Sequence, residues 1–194
     1  TLTEQARAQA EQGVKDVYDS VDAKVGRQQA IRLGQIVNFI DSVRHDVYAS
    51  EEDKAKSLAE ISDLNLAETD AALTIVRLTD SEWENVVSGA ENVLDTVMRE
   101  AIRSTELPAV RRRVPTMVRL SMNEGQTRAV TALVTDLIKA NTFYNAQATQ
   151  QARQQARESV EPVTISVESG QTIVRQGDIV QPLDIEILDG LGML

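Results

Sequence analysis

Apolar positions recur at intervals of three and four along most of this chain, the spacing that lays a stripe down one face of an α-helix. The longest run is Trp83, Val86, Val87, Ala90, Val93, Leu94, Val97, Met98, Ala101 and Ile102. Thr79 and Glu82 stand in capping-box register before it, and Pro108 sets its far limit. Leu33, Ile36, Val37, Ile40 and Val43 predict a second helix, and Val130, Leu133, Val134, Leu137 and Ile138 a third. Ser50, three residues before Asp53, is placed to N-cap a shorter one. Residues 66–78 and 111–120 also read as helical, with Pro115 forcing a boundary or a kink.

Towards the end the pattern changes. Val163-Thr164-Ile165-Ser166-Val167 is β-branched and alternating, as a half-buried strand should be. Ser169-Gly170 reads as a turn into a second strand, Thr172–Val174, and Gln176-Gly177-Asp178 as a turn into Ile179-Val180. Pro182 then suits the first turn of a short helix that Gly190 can end. The expected fold class is therefore mainly α (α+β): a helical, bundle-like body with a small β unit.

An internal repeat organises the two ends. Residues 3–21 align without gaps on residues 149–167, and ten of these 19 positions are identical, among them Thr3/Thr149, Arg7/Arg153, Val17/Val163 and Val21/Val167. Ala- and Gln-rich helices resemble one another cheaply, but the match runs on past the helical half. It reads as a helix–strand unit used twice, Ala6, Ala10 and Val14 sharing a face as Ala152, Ala156 and Val160 do. The expectation is that segments 17–21 and 163–167 are neighbours in one small sheet. A single domain over 1–194 follows, with a helical lobe at 22–148 and a terminal unit made of 1–21 plus 149–194.

Composition narrows the function. Aromatics are only 3%, so the core must come from Val, Leu, Ile and Ala. No cysteine is present, which removes disulfides, thiol catalysis and Cys-based metal sites. The net charge of −10 argues against nucleic acid as a partner. That charge is uneven: residues 41–95 hold 14 acidic against 4 basic side chains, and residues 99–119 hold 6 basic against 2 acidic. Attraction between helical faces, or simple solvation, accounts for this more readily than an anion site around Arg111, Arg112 and Arg113. No apolar run is long enough to span a bilayer and no leader peptide is visible, while the start at Thr1 without Met reads as a piece of a longer protein.

The residues also resemble a family. Asn141-Thr-Phe-Tyr-Asn145, Thr149-x-x-Ala-Arg-x-x-Ala156, Val160-Glu-Pro-Val163, Gly170-Gln-Thr-Ile-Val-Arg-Gln-Gly177-Asp-Ile-Val180 and Leu188-Asp-Gly-Leu-Gly192 follow in order. This series closely resembles the C-terminal part of the extracytoplasmic domain of the seven-transmembrane HD-hydrolase receptors, and residues 3–18 its opening helix. Two departures are Ala140, where that family often has Pro, and Asp16, where the second repeat has Pro162. The resemblance implies an input domain outside the cytoplasm, on a multipass membrane protein. One membrane helix would precede it, the rest would follow, and a cytoplasmic HD domain would hydrolyse cyclic di-AMP.

No catalytic or metal site is expected in the chain itself. His45-Asp46 spells the dipeptide that names the HD hydrolases, but it contains the sole histidine, and one or two ligands cannot fix a divalent ion. His45 suits a helix end instead. The same count argues against a Ser-His-Asp triad, and Gly170 and Gly177 are turn residues rather than phosphate holders. Trp83 is assigned to the core, and Phe143-Tyr144 either stack on a ligand or plug a helix–sheet junction. The functional expectation is a sensory or regulatory domain with an unknown ligand or protein partner, no cofactor, contact with the membrane helices of its own chain, and a possible homodimer. The alternative is a helical scaffold or dimerisation module without a small-molecule ligand.

Overall fold

The computed structural model describes residues 2–67 and 70–194, and the chain divides into two compact units. One comprises Asp19–Phe143; the other joins Thr1–Tyr18 to Tyr144–Leu194. Nine α-helices and one 3₁₀ turn are found among the described residues.

The unit Asp19–Phe143 is built on α5 (Asp80–Met98), which packs against α2 (Ala23–Arg44) and α7 (Glu124–Val134). The stripe read from the sequence is its buried face: Trp83, Val86, Ala90, Val93, Leu94, Val97 and Met98 are all buried. Leu33, Ile36 and Ile40 of α2 and Ala129, Val130 and Leu133 of α7 complete the core. The capping box forms, with the Thr79 hydroxyl accepting from the Glu82 amide and the Glu82 carboxylate accepting from the Thr79 amide. Gly89 lets α5 approach α7 and the turn before it closely, since a Cβ there would stand 3.2 Å from Val130 Cγ2 of α7 and 2.6 Å from Met122 Cε of the turn.

The shorter elements fill the sides. Ser50 caps α3 (Glu51–Ala59) by accepting from the Asp53 amide. The helix expected over 66–78 is α4 (Ala71–Arg77); the expected span includes Glu68 and Thr69, which lie outside the described residues. Pro108 opens α6 (Leu107–Met117), so this helix starts earlier than expected and takes Pro115 inside it.

The stripe on α5 outruns its helix. Ile102 is fully buried, yet α5 ends at Met98 because Asn141 takes over. The Asn141 side chain lies fully buried, its amide donating to the Met98 and Glu100 carbonyls at 2.9 Å each, its oxygen accepting from the Ile102 amide at 2.8 Å. A helix end buried in this way needs such a partner, because the last carbonyls have none within the helix.

In the other unit, α1 (Leu2–Gln12) packs on α8 (Ala146–Glu158), while α9 (Pro182–Gly190) is the short helix expected after Pro182. Asn145 N-caps α8 through the Ala148 amide. The Val17 amide donates to the Thr149 hydroxyl at 2.9 Å, and the Val163 amide to the Thr3 hydroxyl at 3.0 Å. These are equivalent positions of the repeat in exchanged roles, so the two copies bond reciprocally. Ion pairs add to the contact: Arg153 to Asp16 at 3.1 Å, and Arg157 to Glu4 at 2.6 Å and Glu11 at 3.5 Å.

This geometry corrects the expected small β unit. No strand or sheet is present among the described residues, and the fold is helical. Among the described residues the only β-type pairing is an isolated antiparallel bridge between Tyr18 and Tyr144. Segments 17–21 and 163–167 do not pair as strands; each copy's Val amide instead meets the other copy's Thr hydroxyl. Val163 and Ile165 remain 45% exposed, so the apolar face that alternation should bury stays partly open to solvent within one chain. β-branched alternation favours a pleated surface only where a partner strand is at hand.

Candidate functional site

The strongest concentration of polar chemistry in the unit Asp19–Phe143 lies where the end of α2 meets the start of α5. Trp83 is buried, and its indole N–H donates to the Asp41 carboxylate at 2.6 Å. Arg44, one helical turn on, lies over the Trp83 ring with its guanidinium carbon 5.3 Å from the centroid. Its side chain is only 6% exposed. A cation so covered requires several acceptors, and Arg44 has them. It donates to the carbonyls of Ile75 at 3.1 Å and Leu78 at 2.9 Å, and to the Asp80 carboxylate at 2.9 Å. Arg44 therefore closes the C-terminal end of α4, where unpaired carbonyls favour a cation, and ties it to the N-terminal turn of α5.

Beside this cluster opens a concavity of about 540 Å³. Val37, Trp83 and Val87 give it apolar wall, and Asp41, Asp80, Glu84 and Glu91 give it four carboxylates. Ser88 and His45 complete the lining. With one imidazole against four carboxylates its field is negative, so it disfavours anions and suits a cationic or hydrogen-bond-donating group.

His45 is the C-cap of α2, as its reading as a helix-end residue expects, and its Nδ1 lies 2.8 Å from the Asp41 carbonyl. Its Nε2 is 3.9 Å from Asp80. No group of three or more His, Asp or Glu side chains able to hold a metal ion occurs among the described residues. Trp83 is a core residue whose edge borders the concavity.

The remaining candidates do not converge. Arg111 donates to the Ile138 carbonyl at 3.0 Å and Arg113 pairs with Glu100, while Arg112 is exposed. Gly170 and Gly177 have φ of 87° and 98°, the left-handed conformation that glycine adopts without penalty in turns. Phe143 and Tyr144 are half-exposed; the Tyr144 ring meets Tyr18 edge-on at 6.0 Å, and among the described residues there is no sheet for the pair to plug.

Asp41, Arg44 and Asn141 were not singled out by chemistry in the sequence. Asn141 was visible only as part of the Asn141–Asn145 motif. Arg44 could have been found from its place in the last turn of an apolar-striped helix, but its acceptors are 31 to 36 residues away.

A family model described as 7TM-HD extracellular matches residues 1–194. No curated protein matches the chain, and no solved structure does.

Proposed function

Because the chain belongs to the family of 7TM-HD extracellular domains, we propose that it senses a ligand or partner outside the cytoplasm and so modulates a cyclic-dinucleotide phosphodiesterase carried by the same protein. An extracellular domain of this family stands outside the cytoplasm in a membrane protein. No helix among the described residues is itself long and apolar enough to cross a membrane.

The observation that carries the ligand reading is the concavity at Trp83. It combines apolar wall with a few converging polar groups, the pattern of small-molecule sites. It also borders the Arg44 cluster, which holds the junction of α2, α4 and α5. A solute seated there touches α2 and α5, and it shifts the domain to the extent that it binds two arrangements of them unequally.

Trp83 is the only tryptophan, so its emission reports this site without labelling. Titration with small cationic solutes, such as polyamines and basic amino acids, is expected to shift the emission and raise Tm for those that bind. Replacing Glu84 and Glu91 with Lys cancels the negative charge of the lining and is expected to abolish both effects. A panel that moves neither emission nor Tm contradicts a cation-binding concavity and favours the scaffold or dimerisation reading.

A further inference from the structure

The segment Val163–Val167 lines a groove by alternate residues, the pattern of an unused strand edge. Val163, Ile165 and Val167 line a groove of about 460 Å³ together with Leu2, Ile187 and Leu191, whereas Thr164 and Ser166 do not. Lining by alternate residues is what an extended backbone produces. The Val163 amide is occupied by the Thr3 hydroxyl. In an extended chain the amides of 164 and 166 point the opposite way from that of 163. Among the described residues, neither has a hydrogen-bond partner.

We propose that this edge is a dimer contact, with Val163–Val167 of one copy pairing antiparallel with the same segment of a second copy about a two-fold axis at Ile165. The ladder runs between two chains; a single chain holds no sheet among its described residues. The proposal does not depend on whether the domain binds a small ligand.

The occupant is argued from the sequence of the segment. Val-Thr-Ile-Ser-Val reads nearly the same in both directions. A two-fold contact needs such self-complementarity, because each residue must suit the one it meets. Antiparallel pairing about Ile165 sets Ile165 against Ile165, Val163 against Val167, and Thr164 against Ser166. Apolar side chains then meet on the groove face and hydroxyls on the other, both favourable cross-strand pairs. The flanking charges avoid one another, since Glu161 falls opposite Ser169 and Glu168 opposite Pro162.

The backbone agrees with this register. Thr164 and Ser166 become the hydrogen-bonded pairs, and Val163 falls in a non-hydrogen-bonded pair, free to keep its bond to Thr3. The contact is short and buries less than the ~1,200 Å² of a standard stable complex, so the dimer is weak in solution. It also hides the exposed β-branched edge that a lone chain would present to aggregation.

The test uses the absence of cysteine from the chain. Ile165→Cys places two thiols across a non-hydrogen-bonded pair, whose Cα atoms lie about 4.5 Å apart, within disulfide range. Mild oxidation is expected to give a covalent dimer at least about tenfold faster than for Tyr48→Cys, an exposed control, because pairing raises the local thiol concentration. Mixing Val163→Cys with Val167→Cys is expected to link the two variants faster than either links to itself. Sedimentation of the wild type should show a concentration-dependent dimer that Thr164→Pro abolishes, with the helical circular dichroism retained. The proposal is overturned by a wild type that stays monomeric with no preferential linking at 165, and equally by Val163→Cys linking to itself as fast as to Val167→Cys.

Discussion

The Val17 amide donates to the hydroxyl of Thr149, 132 residues away in the chain, at 2.9 Å. The repeat turns this bond into one of a pair, because Val163 and Thr3 repeat it at 3.0 Å with the roles of the two copies exchanged. Thr149 is fully buried and also donates to the Asn145 carbonyl at 2.8 Å, so its hydroxyl serves the cap of α8 and the opposite repeat together. The expected outcome is local and reciprocal. Thr149→Val should speed hydrogen exchange at the Val17 amide and leave Val163 protected, and Thr3→Val should do the reverse. Thr149→Val is expected to cost about 1–3 kcal/mol, the range for a buried donor left without its acceptor. Equal exchange at both amides in both variants would remove the reciprocal arrangement.

Arg44 is expected to resist conservative replacement. Lys keeps the charge but cannot reach two carbonyls and a carboxylate while lying flat over an indole. Arg44→Lys should lose about 1–3 kcal/mol in urea unfolding and Arg44→Ala more, since a bond to a charged group is worth about 1.5–3 kcal/mol. The Trp83 emission should change in both variants. A lysine variant as stable as the wild type would show that the fork geometry contributes little.

Asn141 makes a second demand on chemistry rather than shape. Asn141→Asp is nearly isosteric, but a carboxylate cannot donate to the Met98 and Glu100 carbonyls, and it is buried without a counter-ion. Asn141→Asp is therefore expected to destabilise more than Asn141→Ala at pH 7, with the aspartate variant recovering as pH falls and the carboxyl becomes neutral. A flat pH profile for this variant would contradict the bonding pattern.

Acid sensitivity should arise partly at the head of α5. The Glu82 carboxyl is held below its ordinary value of 4.5 by the Thr79 amide, then by the Thr79 hydroxyl and the Asn123 side chain. A depressed folded-state pKa means that its contribution is complete above 4.5 and is lost as pH falls through the lower folded value. Asp63, beside Arg32, and Glu4, beside Arg7 and Arg157, shift the same way. Tm should thus fall between pH 5 and pH 3, and Glu82→Gln, which keeps the reciprocal cap, should lose less Tm over that interval than the wild type. An equal loss would show that the cap does not depend on the carboxylate charge.

The helices were legible because their signals are local. Thr79 and Glu82 mark the start of α5, Ser50 that of α3 and Pro182 that of α9, each within one turn of the residue it serves. What failed was long-range. Nothing near Met98 says that α5 stops there; the reason is the side chain of Asn141, 43 residues on. The alternating residues 163–167 carry the local signature of a strand, but a ladder needs a second backbone, and the repeat supplies a threonine hydroxyl instead. Trp83 was readable as core from its place on the stripe, while Asp41 and Arg44, which fix its indole, come from a different helix.

The central claim is that this domain biases the output of the protein that carries it. The direct measurement is the proposed cyclic-dinucleotide hydrolysis, assayed with cyclic di-AMP on the full-length protein in membranes and compared at equal amounts of inserted protein with a form in which residues 1–194 are replaced by a flexible Gly/Ser linker. A domain with two arrangements of unequal output must change the basal rate when removed. The expected result is a rate that differs between the two forms, and that responds to a Trp83-shifting solute only when the domain is present. Equal rates, with and without such a solute, would contradict a sensory role.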